Sequence, residues 1–135
     1  VCSSDLQKEA ADRYSATPGG KSFGAISIFL HAAFHIDGWH TVSAGCFYPR
    51  PDVDSRLLVL RRKPSPVVIR TQAREFVRAC FQQRRKQIGS IIASRFPDAA
   101  ADLGRILSKH GLDAKVRPEA IPVETWLELA QISPS

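Results

Sequence analysis

The run Cys46-Phe47-Tyr48-Pro49-Arg50-Pro51-Asp52-Val53-Asp54-Ser55 constrains this chain more than any other stretch. Each proline fixes its own φ and pushes the residue before it out of the helical region. The backbone from Phe47 to Asp52 must therefore be extended or turning, and stiff. A large ring on such a segment cannot fold back into a helix. It is presented, either into a core or toward a flat ligand. A β-run, Ser55 to Arg62, follows at once.

The flanking elements follow from periodicity. His35 to Ser43 carries β-branched and aromatic residues and predicts a strand, bulged at Gly38. With Asp54–Arg62 it predicts an antiparallel pair at a sheet edge. Upstream, Gln7 to Ala16 reads as a helix, with Glu9 and Arg13 spaced for an ion pair. Pro18-Gly19-Gly20 breaks it, and Ser22 is the expected N-cap of a largely apolar helix over 23–34. Downstream, Lys63-Pro64-Ser65-Pro66 is the expected linker. Ala73, Phe76, Val77, Cys80 and Phe81 then form one apolar helical stripe, with Arg70, Arg74 and Arg78 along its flank. Further helices are expected over 85–94, over 99–110 (capped by Asp98 and closed by Gly111), and over 123–131 after Pro122.

A hydrophobic content of 44% with 24% charged residues marks a globular chain. No apolar stretch approaches the roughly 20 residues that span a bilayer, so no membrane partner is expected. Cys2, Cys46 and Cys80 are odd in number and widely spaced. They suggest neither a disulfide framework nor a zinc site, and point to a reducing cytoplasm. Residues 1–6 match the translation of a common sequencing-library adapter and read as an assembly artefact. On that reading the biological sequence starts within a gene, near Gln7, in keeping with the absence of Met.

Charge is unevenly placed. Between Arg61 and Arg95 there are ten cations and one acid, Glu75, a surplus of nine on a chain of net charge +6, so the remainder is net −3. Such a block suits a polyanionic partner or a solvated helical face. Within it, Arg84, Arg85 and Lys86 are adjacent, an arrangement poor for one ion-pair row and good for straddling phosphates. Other candidates are weaker. His31, His35 and His40, with Cys46 near, lack the H-E-x-x-H pattern and read as partly buried or surface histidines. Asp52 and Asp54 read as turn-shaping carboxylates before acid–base groups. Ser55 has no sign of an activating base, and Gly19-Gly20 has no phosphate-loop context.

Several pieces, in order, carry a resemblance: Gln7-Lys8-Glu9 with Ala11 and Arg13; Lys21-Ser22-Phe23-Gly24 with Ile26-Ser27; the F-x-P-x-P-x-V-D-S run from Phe47 to Ser55; Ala79-Cys80-Phe81-Gln82-Gln83-Arg84-Arg85-Lys86; and Gly111-Leu112-Asp113 with Arg117-Pro118-Glu119. From Gln7 to about Gln131 the chain resembles the C-terminal half of the small-subunit ribosomal RNA adenine dimethyltransferases, relatives of the erythromycin-resistance methylases. The resemblance implies an α/β fold. Residues 7–63 would be the C-terminal part of a Rossmann-like methyltransferase domain, its last helices and terminal antiparallel strands. Residues 64–135 would be a small all-helical RNA-binding domain.

It also implies a function. Full-length members transfer methyl groups from S-adenosylmethionine to N6 of two adjacent adenines near the 3′ end of small-subunit RNA. A base must leave its stack for such chemistry and be held flat. By the match, Phe47 would stack on the target adenine. Arg84, Arg85 and Lys86, with Arg74 and Arg78 beside them, would contact ribosomal RNA in the pre-small subunit, the protein acting as a cytoplasmic monomer. Two departures stand out. Gly89 and Ser90 occupy positions where the family usually carries a further Arg and Asn. The family's glycine-rich cofactor loop and N-L-P-Y motif have no counterpart here and would lie upstream of Gln7, so the chain alone is expected to be inactive. The other reading is a free-standing basic helical nucleic-acid-binding module, its helices over 99–131 arranged like a helix-turn-helix.

Overall fold

Ser55–Arg62 offers hydrogen bonds along both edges, and both are taken. The computed structural model describes residues 2–14 and 16–132. Its strands β1 (Cys2–Gln7), β2 (Phe34–Val42) and β3 (Ser55–Arg62) form one antiparallel sheet in the order β1-β3-β2. The expected pair is therefore present, with β2 at an edge and β3 in the middle. Val42 faces Ser55 at one end and Phe34 faces Arg62 at the other, with a register shift between Ile36 and Gly38, where the bulge was expected. β1 runs from Cys2 opposite Leu60 to Gln7 opposite Ser55. Residues 2–6, read in the sequence as an adapter artefact, are paired here as an edge strand. Gln7 closes that strand instead of opening a helix, and α1 is Lys8–Tyr14.

Alternation along β3 places Leu58 and Leu60 on the face covered by α1, where they pack with Ala11, Tyr14, Leu30, Phe34 and Ile36. Helix α2 (Ala25–Ala33) bridges this cluster to a larger one. Its Leu30 meets the sheet, while Ile28 and Ala32 are buried among the C-terminal helices, so its apolar residues serve two sides. Gly24, not Ser22, is its N-cap. The Ser27 hydroxyl accepts from the Gly24 N–H (3.2 Å) and donates to the Arg13 carbonyl, tying α2 to α1.

The C-terminal helices are α3 (Thr71–Gln82), α4 (Ile88–Arg95), α5 (Ala100–Lys109) and α6 (Val123–Gln131). The α3 stripe does what its spacing predicts: Ala73, Phe76, Val77 and Cys80 are buried and Phe81 half-buried. Trp126 is fully buried, in ring contact with Phe76 and Phe81, and its indole N–H donates to the Pro118 carbonyl (3.2 Å). Phe23, Ile28 and Ala32 belong to this same core. Packing therefore runs across the expected boundary at 63/64. The proline segment is itself bonded back: Lys63 N–H donates to Ala33 O and Val67 N–H to Ala32 O, both 2.8 Å, satisfying carbonyls at the end of α2.

Two helix ends differ from expectation or sharpen it. Asp98 lies inside a 3-10 turn, Pro97–Ala99, and makes no cap; α5 starts only after it. The other end of α5 closes on Gly111 (φ +71°). Leu112 N–H bonds Leu107 O and Gly111 N–H bonds Ser108 O, the paired bonds of a Schellman motif.

An ionic contact joins this end of α5 to α6. Glu128 lies 3.1 Å from His110 Nε2 and 3.2 Å from Lys109 Nζ. The close approach of His110 and then the hydrogen bonds from Lys109 hold its carboxyl below the usual range. A depressed folded-state value stabilises above the unfolded value, about pH 4.3, and that stabilisation fades as pH falls through the folded one. Glu128→Gln should therefore flatten the acid limb of a urea-midpoint-versus-pH curve. Curves that run parallel below pH 5 would show that the contact contributes nothing, as an exposed, salt-screened pair can.

Candidate nucleic-acid interface

The proline-rich loop between β2 and β3 starts and ends on the paired residues Val42 and Ser55. Inside it, Ala44–Cys46 makes a 3-10 turn, with the Ser43 hydroxyl accepting from Gly45 N–H (3.3 Å). Asp54 Oδ1 accepts from Ala44 N–H (2.9 Å) across the loop. Asp54 thus shapes the turn, while Asp52 is exposed. Phe47 leaves the turn in extended conformation (φ −112°, ψ 149°), its N–H on Ala44 O at 3.3 Å. The ring is half-buried and joins neither apolar cluster, so the loop displays it instead of sealing it away. Tyr48 beside it is fully exposed, on a cis Tyr48–Pro49 bond.

The basic residues divide by environment. Arg74 and Arg78 are exposed on α3, Arg78 with its guanidinium 5.7 Å from the Phe29 ring centre. Arg84, Arg85 and Lys86 lie in the turn between α3 and α4, not at the start of a helix as expected. Arg85 and Lys86 point to solvent with no partner among the described residues. Arg84 turns inward. It donates to the carbonyls of Lys21 (2.6 Å) and Phe23, lies 4.0 Å from a Glu119 oxygen, and stands 5.6 Å from the Phe81 ring centre. The adjacency that suggested one cationic unit therefore conceals an internal tie and two surface charges. Phe47 and the basic turn sit on separate elements, the sheet end and the α3–α4 turn.

Helix α4 starts at Ile88 because a neighbouring loop takes its first donors. Ile88 N–H bonds Val116 O and Gly89 N–H bonds Ala114 O, both 2.8 Å. A Cβ on residue 89 would meet the Ala114 Cβ at 2.8 Å and its carbonyl oxygen at 3.0 Å.

Two features escape sequence reasoning. Arg13, Lys21 and Arg84 converge with Ser22 on a cavity of about 370 Å³ at the start of α2. Arg56 ion-pairs with Asp12 of α1 and lies under the Trp39 ring, 4.0 Å from its centre. Arg56 shares the covered face of β3 with Leu58 and Leu60, and a charge in that alternation is a signal that an acid must approach. His31 belongs to α2 and His35 to β2; burial first, then Lys63, pulls the His31 pKa below its ordinary value.

A family model described as ribosomal RNA adenine dimethylase matches residues 5–133. The chain belongs to this family. It is 52% identical over 124 residues to a ribosomal RNA small subunit methyltransferase A from Opitutus terrae, covering 92% of this chain and 45% of that protein. A protein of the same name from Bacillus mycoides is 37% identical over 131 residues, covering 93% of this chain and 45% of the relative. The chain thus spans somewhat under half the length of these curated relatives. Among solved structures, a dimethyladenosine transferase from Plasmodium falciparum aligns with a TM-score of 0.75 at 18% identity, covering 94% of this chain and 55% of that one. The 23S rRNA methyltransferase ErmE aligns at 0.63 and 19%, covering 97% and 53%. At such identities these likenesses show fold alone, an α/β arrangement shared with part of a methyltransferase. The Gly89 contact has a plain consequence: room for a side chain at this position is closed by Ala114.

Proposed function

We propose that this chain is the RNA-engaging part of an S-adenosylmethionine-dependent methyltransferase that dimethylates N6 of two adjacent adenines near the 3′ end of small-subunit ribosomal RNA. In this reading the protein acts on the pre-small ribosomal subunit as a cytoplasmic monomer. The sheet and its loop are the tail of the catalytic domain. The helices from residue 64 onward form the RNA-binding part, with α2 docked into their core. The observation that carries the reading is the half-buried Phe47 ring on a loop pinned by Asp54 and two prolines. Stacking on such a ring is worth roughly 1–3 kcal/mol per base. Arg85 and Lys86 supply phosphate contacts, with Arg74 and Arg78 further along α3. S-adenosylmethionine, when bound, supplies the methyl group, but the residues described here do not fit it. Gly19, the nearest thing to a glycine loop, gives its N–H to Glu119 O at 2.6 Å. We assign the cofactor to the portion of the longer relatives that this chain does not span.

Cys46 provides the test. It is exposed beside Phe47, whereas burial pushes the Cys80 thiol up to about 12. Alkylation read by peptide mass should label Cys46 and spare Cys80 in the native chain. RNA carrying unpaired adenines should slow labelling at Cys46, and Phe47→Ala should weaken that protection. Equal Cys46 rates with and without RNA would remove the stacking role. The chain by itself should incorporate no methyl group from S-adenosylmethionine; incorporation would overturn the division of labour proposed here.

A further inference from the structure

The turn after α3 encloses more than charge. Phe81, Gln82, Gln83, Arg84, Arg85 and Lys86 line a groove of about 360 Å³, within the range of small-ligand sites. Phe81 forms an aromatic wall. Its ring is held by Phe23 (5.8 Å, edge-on), by Trp126 (5.2 Å) and by the Arg84 guanidinium, 5.6 Å from its centre, so a ligand meets only the part of the ring that these leave open. Gln83 is half-buried and Gln82 exposed, and neither side-chain amide has a partner among the described residues. The Gln83 amide is not among the buried unpaired groups, so solvent reaches it and a ligand edge can replace that water. Beyond the amides stand the two surface cations, Arg85 and Lys86.

We propose that this groove receives one unpaired RNA base, held against Phe81 and bonded along its edge by the Gln83 amide with Gln82 beside it, while Arg85 and Lys86 take the flanking phosphates. The chemistry favours this occupant. An amide carries a donor and an acceptor side by side, the complement of a base edge, and adenine's amine and ring nitrogen suit it well. Proteins read RNA sequence at unpaired loops, by aromatic contact plus edge hydrogen bonds. In a duplex the Watson–Crick edge is occupied and the other edge lies in the deep, narrow groove of A-form RNA, so a duplex can use the cations but not the amides. The inference rests on the RNA-contact reading of Arg85 and Lys86 and adds base selection to it.

The test compares an RNA hairpin having an unpaired, adenine-containing loop with a fully paired duplex of equal length, titrated against the 135-residue chain. The double variant Gln82→Ala/Gln83→Ala should lose about tenfold in hairpin affinity, one base-edge contact's worth, and keep duplex affinity and salt slope. Arg85→Ala/Lys86→Ala should weaken both RNAs and lower the salt slope by about two charges. Gln83→Glu, isosteric and negative, should bind the hairpin worse than the alanine variant and guards against a fold defect. If the glutamine variants bind the hairpin as wild type does while the cation variant does not, base reading falls and phosphate contact stands. If none of them changes either affinity, both fall.

Discussion

Arg84→Ala is expected to destabilise the chain by roughly 2–4 kcal/mol while doing less to RNA affinity than its two neighbours do. Hydrogen bonds to a charged donor contribute roughly 1.5–3 kcal/mol each, and Arg84 makes two, to the Lys21 and Phe23 carbonyls. Their sum, roughly 3–6 kcal/mol, is discounted because its side chain is 34% exposed and water can replace part of what is lost. Glu119, 4.0 Å away, adds little at that distance. The guanidinium ties the end of α3 to the segment preceding α2, and Gly19 N–H on Glu119 O closes the third side. Losing it should loosen that corner first, so amide exchange at Phe23 and Gly19 should rise ahead of global unfolding. Arg84→Lys should rescue poorly, since an ammonium cannot fork to two carbonyls. Arg85→Ala and Lys86→Ala, by contrast, should leave the urea midpoint unchanged. If Arg84→Ala melts like wild type and loses RNA affinity as Arg85→Ala does, the three cations are one surface unit after all.

What could be read from residues alone, and what could not, divides along a physical line. The α3 stripe and the alternation of β3 are local patterns, and both face the core as their spacing requires. The Pro49-Arg50-Pro51 loop is likewise local, because proline restricts backbone whatever surrounds it. β1 was hidden because Cys-Ser-Ser-Asp-Leu-Gln has neither alternation nor β-branched residues. Its pairing is set by the free edge of β3, about fifty residues away in sequence. The direction of Arg84 was hidden for a related reason. Adjacency in sequence says nothing about which of three cations faces a pair of carbonyls sixty residues upstream. Ser22 and Asp98 are acceptable caps by type. The first lost its place to a Gly24–Ser27 arrangement, and the second to a 3-10 turn begun by Pro97.

Gly89→Arg, which introduces the cation that the family resemblance implies at this position, is expected to weaken this chain instead of strengthening its hold on RNA. The new Cβ would sit 2.8 Å from the Ala114 Cβ, closer than real contacts allow, and 3.0 Å from its carbonyl oxygen, tighter than most. Neither partner is a flexible side-chain end, so the loop at 113–116 must move. That motion would break the bonds from Ile88 and Gly89 to Val116 O and Ala114 O that start α4. Overpacking of this kind costs roughly 1–3 kcal/mol, and the loss of two helix-start bonds places the expectation in the upper part of that range. A Gly89→Ala variant isolates the steric share, because it adds the Cβ and no charge. Ala114→Gly in the Gly89→Arg background removes the nearer of the two clashing atoms and should return part of the stability. The added arginine can then raise RNA affinity and steepen its salt dependence by about one charge. Close approach of two backbones, not a change of partner, would on this account be why the basic turn of this family member ends at Lys86. A Gly89→Arg chain that melts at the wild-type midpoint and binds RNA more tightly would show that the loop yields freely and that no such constraint operates.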